Sequence, residues 1–332
     1  MTTTQTPEAG APADDYGTHP GASANRFFKG LSTSAGSLIL ITLAAVATFL
    51  LVEAWPSLTA SAEELGKAVS FIKPEQGQSL VEIIGYLIFG TLLISAIALL
   101  IATPVSIGIA LFISHFAPRR LAQGLGYLID LLAAVPSVVY GLWGVAVLVP
   151  FLTPFYQWLA DNLGWFPLFA PPESGEIFTG RVAMSAGIVL AIMIIPIISA
   201  VSREVFLQTP KLHEEAALAM GATRWEMIKM AVFPFGRSGM VGATMLGLGR
   251  ALGETMAVLM IIGPGLTYSL LTLQPNQHNT IAAYIALQFP EANARGVSAL
   301  IAMGLALFLI TLLVNMLARW IVSRRSEFSG AN

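Results

Sequence analysis

Six long apolar stretches constrain this chain more than any other feature. A bilayer core of about 30 Å needs roughly 20 apolar residues in one helix. Residues 34–54, 82–114, 121–152, 182–205, 237–262 and 297–322 all meet that length. The expected fold class is therefore all-α integral membrane, with six transmembrane helices. Composition agrees: 55% of the 332 residues are hydrophobic and 11% charged, against about 25% charged in an average soluble domain. The second stretch exceeds one upright helix. Its only candidate break, Ala102-Thr103-Pro104, lacks the polar residues of a water-exposed turn. One tilted helix, kinked near Pro104, is predicted.

Lys and Arg then orient the spans. With the N-terminus inside, the cytoplasmic segments hold Arg26, Lys29, Arg119, Arg120, Arg203, Lys211, Arg224, Lys229, Arg237, Arg319, Arg324 and Arg325. The external segments hold only Lys67, Lys73, Arg181 and Arg295, and Arg250 lies within a span. Both termini are thus expected in the cytoplasm of a cell-membrane protein. The organisation reads as a disordered tail over 1–30, a first transmembrane helix with an external segment over 31–80, a core of five spans over 81–323, and a tail over 324–332. Residues 1–25 carry no apolar core, so no cleavable signal is expected in the usual place. External segments 153–180 and 264–294 read either as interfacial caps, the second with a short helix over 281–289 across a pore mouth, or as ordinary aromatic-belt connectors.

Several chemistries are excluded. There are no cysteines, and a net charge of −2 gives no reason to expect nucleic-acid binding. No G-x-x-x-x-G-K-[ST] phosphate loop occurs, so no ATPase, catalytic site, metal or cofactor is expected on this chain. His19, His115, His213 and His278 are scattered and read as solvated surface residues.

The loop between the fourth and fifth spans reads REVFLQTPKLHEEAALAMGATRWEMIKMAVFPFGR over 203–237. Pro210 suits a helix start. Glu214 and Glu215 fall in the first turn, where the helix dipole favours anions. Ala216 and Ala217 continue the helix, and Gly221 ends it. A second helix is expected from Thr223 to Pro234, giving a short helix–turn–helix outside the membrane.

The fifth span carries LGLGRALGETMAV over 246–258. Arg250 and Glu254, four residues apart, would share one face of a continuous helix. An Arg at the bilayer centre costs at least about 2.5–3.5 kcal/mol, so it should face protein or a watery path. Two readings stay open: mutual neutralisation that staples helices, or a guanidinium offered to an anion, with Glu254 holding it and Thr255 adding a hydroxyl. Gly249 and Gly253 form a small-x-x-x-small pair, continued by Gly239, Ala243 and Gly247, for close packing of another helix. Pro136 and Pro196 are expected to kink the third and fourth spans. Asp130 reads as an interfacial carboxylate paired with a nearby Arg, or as a positioner of the loop.

The loop resembles the EAA loop of ABC importer permeases. Glu215-Ala216-Ala217, three residues and Gly221 match its start, and Pro234 is in register at its end, while Ala231 and Phe233 depart from the consensus. The segments 90–112, 131–144, 190–196 and 246–258 are together similar to the C-type permease of the phosphate-specific (Pst) importer, from about residue 85 onward. That resemblance implies a six-span permease of the small (MetI-like) type and an A-type permease partner. It also implies two ATPase subunits that carry the ATP and Mg, an external phosphate-binding protein, and phosphate as cargo. Glu214, Glu215, Ala216, Ala217, Gly221 and Pro234 would couple to the ATPase, and Arg250, Glu254 and Thr255 would lie on the substrate pathway. Two alternatives are a permease for another oxyanion, such as sulfate or molybdate, and a membrane scaffold in phosphate signalling.

Overall fold

A computed structural model describes residues 22–73, 78–172, 175–177 and 179–326. In chain order the helices are α1 (Ala22–Thr59), α2 (Ala62–Ala68), α3 (Leu80–Leu111), α4 (Arg119–Ala133), α5 (Ser137–Trp143), α6 (Val149–Leu163), α7 (Ala183–Leu207), α8 (Lys211–Ala219), α9 (Arg224–Met227), α10 (Phe233–Leu252), α11 (Met256–Ile261), α12 (Ile281–Gln288) and α13 (Ala294–Ser326). Three π-helical turns extend or join them: Phe112–Phe116 after α3, Gly144–Leu148 between α5 and α6, and Ile228–Val232 between α9 and α10.

The chain divides into two compact units, residues 1–49 and 50–332. What is described of the first is the greater part of α1, whose large apolar side chains are exposed, as lipid-facing groups would be. In the second unit α7 is the central helix. Of its most apolar window 67% is buried inside the chain, against 39% or less in every other candidate span. It packs along α3 and α10. Ile94 and Ala98 of α3, Leu190, Ile194 and Ile198 of α7 and Ala243 of α10 form the shared core. Lipid supplies no hydrophobic drive between helices, so such contacts hold by close van der Waals fit. A Cβ on Gly187 would meet Ile97 Cγ2 at 2.6 Å, so α7 and α3 are in contact there at backbone distance. A second cluster joins Ala54, Leu65, Leu87, Tyr284 and Leu300. Beside it Ser57 Oγ donates to Ser298 Oγ at 2.9 Å, and Ser298 Oγ donates to the Glu53 carbonyl at 2.6 Å.

Among the described residues five helices are long and apolar enough to cross a membrane: 27–59, 80–116, 137–163, 183–207 and 294–320. The expected 82–114 span is one helix carrying Pro104. The expected 121–152 span is corrected. Residues 119–133 form a separate amphipathic helix, α4, and the long apolar helix starts at Ser137. Pro136 is the reason. It biases Val135 away from helical angles and stands as the N-cap of α5, so it starts a helix where a kink was expected. A search for apolar length alone runs through this stop because both sides of it are apolar.

The tail expected over 1–30 is also shortened. Residues 22–30 extend α1, with no breaker stronger than Gly30 between Ala22 and the apolar run; the rest of that tail lies outside the described residues. At the other end Arg324 and Arg325 continue α13, and 327–332 lie outside the described residues. The short helix expected over 281–289 is α12, capped by the Thr280 hydroxyl on the Ala283 N–H.

Candidate functional site

The expected continuous fifth span, 237–262, is broken in its middle. α10 ends at Leu252, residues 253–255 are non-helical, and α11 starts at Met256. Glu254 is buried, and its Oε1 accepts the Ala257 N–H at 3.1 Å. A carboxylate there satisfies a first-turn donor and sits at the positive end of α11. Arg250 lies in the last turn of α10, at that helix's negative end. Each charge thus has its own helix end.

Of the two readings that the i,i+4 spacing left open, the mutual pair is not made here. No Arg250–Glu254 ion pair forms, and Arg250 has neither a hydrogen bond nor an ion pair among the described residues. Thr255 spends its hydroxyl on the Gly253 carbonyl at 3.2 Å. The outer half-helix α11 is held tightly. A Cβ on Gly141 would meet Ala257 Cα at 2.9 Å, and Val258 and Ile261 are fully buried. Arg181 closes its far end, with Nη2 donating to the Met260 carbonyl at 2.8 Å and Nε to the Ile261 carbonyl at 3.3 Å. Sequence reasoning counted Arg181 only as an external cation, and a contact across 80 positions leaves no local spacing signal.

Half-buried Arg250 lines a cavity of about 960 Å³. One face of α10 (Ser238, Gly242, Gly249), Asn315 and Arg319 of α13, and Ile197 of α7 form its wall. Gly249 and Gly253, expected to pack another helix, do not do so among the described residues. A Cβ on Gly249 would meet nothing within 4 Å, and one on Gly253 only the Gly249 carbonyl at 3.7 Å. Gly247 and Gly239 do that packing instead, against Ile198 and Val205 of α7.

The loop expected over 203–237 starts within α7 and ends within α10, and between them it folds as α8, a tight turn and α9. Gly221 has φ +86°, the left-handed conformation that favours glycine. The Ala222 N–H donates to the Ala217 carbonyl and the Gly221 N–H to the Leu218 carbonyl, the two bonds of a Schellman stop. Thr223 and Glu226 then cap α9 reciprocally, and hydrogen bonds from Thr223 hold the Glu226 carboxyl below the usual carboxylate range. Pro234 does not end this second helix, as had been expected. The Ile228–Val232 π-turn carries the chain directly into α10, where Pro234 falls in the first turn and its missing N–H is tolerated.

The loop's expected coupling residues divide by direction. Ala217 is buried among Phe206, Met227, Ile228 and Val232. Glu214 Oε1 lies 3.5 Å from His115 Nε2, and Ser114 Oγ is 2.7 Å from His115 Nδ1. Glu215, Ala216 and Gly221 face outward, beside Leu212 and Met220, which are 74% and 80% exposed. His115 and His278 are corrected from solvated to enclosed: the His115 side chain is 8% exposed, and His278 stacks on Phe89 with Nε2 2.6 Å from the Ser269 carbonyl. Asp130 does meet an arginine, Arg203 Nη2 at 3.9 Å.

Residues 102–327 match the family described as the binding-protein-dependent transport system inner membrane component. The chain belongs to this family. Over 306 residues, 90% of its length and 92% of the relative's, this membrane component is 46% identical to the phosphate transport system permease protein PstC 2 of Mycobacterium tuberculosis. It is 42% identical over 312 residues to the PstC of Xylella fastidiosa, covering 93% of this chain and 94% of that one. Among solved structures, a bacterial ABC transporter involved in the import of the acidic polysaccharide alginate aligns with 89% of this chain and 99% of its own, at 18% identity and a TM-score of 0.48. The chain is thus an all-α, multi-pass component of the inner membrane.

Proposed function

We propose that this chain is the C-type permease subunit of an ATP-driven phosphate importer. It forms half of a translocation pathway with an A-type permease. Two ATPase subunits supply ATP and Mg chemistry, and an external binding protein delivers phosphate. Both termini lie in the cytoplasm, and the sixth crossing is the broken unit α10–α11. Broken helices at membrane depth are tolerated where they line a cavity, and that is where transporters bind cargo.

One observation carries the reading: Arg250, with no hydrogen-bond or ion-pair partner among the described residues, at a helix break and on a cavity wall. A planar guanidinium suits the oxygens of a tetrahedral oxyanion. Glu254, engaged by α11, keeps the break and leaves Arg250 free. Thr255, spent on the backbone, shapes the turn and becomes a ligand only if that bond is exchanged. The outward face of α8, with Glu215, Ala216 and Gly221, docks on the ATPase. Glu214 and Ala217 tie that face to the helices, so motion of α8 is carried to α3 and α7.

The test is radiolabelled phosphate uptake by the assembled complex in proteoliposomes, in competition with sulfate and molybdate. ATP-dependent uptake of phosphate that neither competitor suppresses is expected. Uptake of another oxyanion in its place would overturn the cargo, and enlarging Gly221 without loss of ATP coupling would overturn the role of the loop.

A further inference from the structure

Two cavities flank the outer half of the broken fifth span. The cavity at Arg250 lies along α10. A second, of about 560 Å³, lies beyond the far end of α11, with Thr179, Arg181, Asn276 and Asn279 in its wall and no acidic residue among the described ones. Of a guanidinium's five N–H donors, Arg181 spends one on the Met260 carbonyl and one on the Ile261 carbonyl, which leaves three. Asn279 is only 2% exposed. Its Oδ1 accepts the Thr280 N–H at 2.8 Å, while its Nδ2 donates to nothing among the described residues. That donor is not sealed from solvent, and with Asn279 in the cavity wall it is open to an acceptor there. Thr179 Oγ1 accepts the Arg181 N–H at 3.2 Å and keeps its own proton to donate.

The wall therefore offers donors and positive charge together, the chemistry that recognises a tetrahedral oxyanion. We propose that this cavity is a first station for the transported anion, an oxyanion of the phosphate class, ahead of Arg250. The proposal rests on the transport reading above. α11, six residues long and so about 9 Å from end to end, separates the two stations. Arg181 thus serves both as the cap of α11 and as the cation of the outer station, which links occupancy there to the position of the half-helix that ends at Glu254.

Uptake of radiolabelled phosphate by the assembled complex, at saturating binding protein, tests this. Asn279→Asp retains the oxygen that accepts from Thr280 and replaces the free donor with a carboxylate oxygen. A carboxylate at this buried position costs stability in a purely structural role, so the readout is uptake per assembled complex, which only an anion site loses. Uptake should fall at least about tenfold, since like charges brought together cost several kcal/mol. Arg181→Lys, which keeps the charge, should retain clearly more uptake than Arg181→Gln. Wild-type uptake in Asn279→Asp overturns the proposal. Recovery of that variant on adding more binding protein also overturns it, because the cavity is then a protein-docking contact. If Asn279→Asp does not assemble, equal loss in the two Arg181 variants leaves only a helix cap and overturns it. Failure of the wild type to carry phosphate sinks the proposed cargo instead, and the same variants are then read with the oxyanion that is carried.

Discussion

α10 carries two sets of glycines on two faces, and they behave differently. Gly236, Gly239 and Gly247 lie on α7, where a Cβ on Gly239 would run into both γ-carbons of Val205 and one on Gly247 would meet Ile198 Cδ1 at 2.7 Å. Gly242 and Gly249 look into open space beside Arg250. The first face is packing internal to the chain. The second keeps side-chain bulk out of the cavity that the proposed pathway uses. The small-x-x-x-small pattern reads alike on both, so spacing alone does not say which face binds a helix and which lines a space.

Substitutions can sharpen or break that contrast. The largest effect is expected from Gly239→Leu, because Val205 is stiff about χ1 and cannot swing aside. Overpacking of this kind costs about 1–3 kcal/mol and sometimes more, and should appear as loss of assembled complex or a strongly lowered melting temperature. Gly249→Leu should insert and melt near wild type yet lower phosphate uptake, because the added side chain enters the open space beside Arg250; normal uptake would remove that cavity from the pathway. Gly221→Ala isolates conformation from space, since nothing lies within 4 Å of its Cβ site. The left-handed φ should cost roughly 1–2 kcal/mol, read as a lower melting temperature together with ATPase activity less tightly coupled to uptake. The smallest effect is Gly249→Ala, which should raise stability by up to about 1 kcal/mol through helix propensity alone. A loss instead would mean that the open face is occupied by another helix.

How much of this was legible in the sequence depended on whether the signal was local. The loop could be read closely, because Pro210, Glu214, Gly221 and Thr223 act on their own neighbours through caps and a left-handed turn. The break at 253–255 could not. Glu254 and Arg250 look like an i,i+4 pair until the carboxylate turns to the Ala257 N–H, and the apolar run continues on both sides. Pro136 was visible, but a proline inside an apolar run is compatible with a kink in one helix or the start of another, and spacing does not say which. His115 and Arg181 are held by partners about 80 to 100 positions away, which no periodicity reports.

The central claim is that Arg250 is held for the anion and does not neutralise Glu254. ATP-driven phosphate uptake should be compared in the wild type, Arg250→Gln, and the double variant Arg250→Gln with Glu254→Gln, each in fully assembled complex. The account predicts that uptake is lost in the single variant, with all subunits still co-purifying, and stays lost in the double. Restored uptake when both charges are removed would show that the two residues serve each other, and would contradict it.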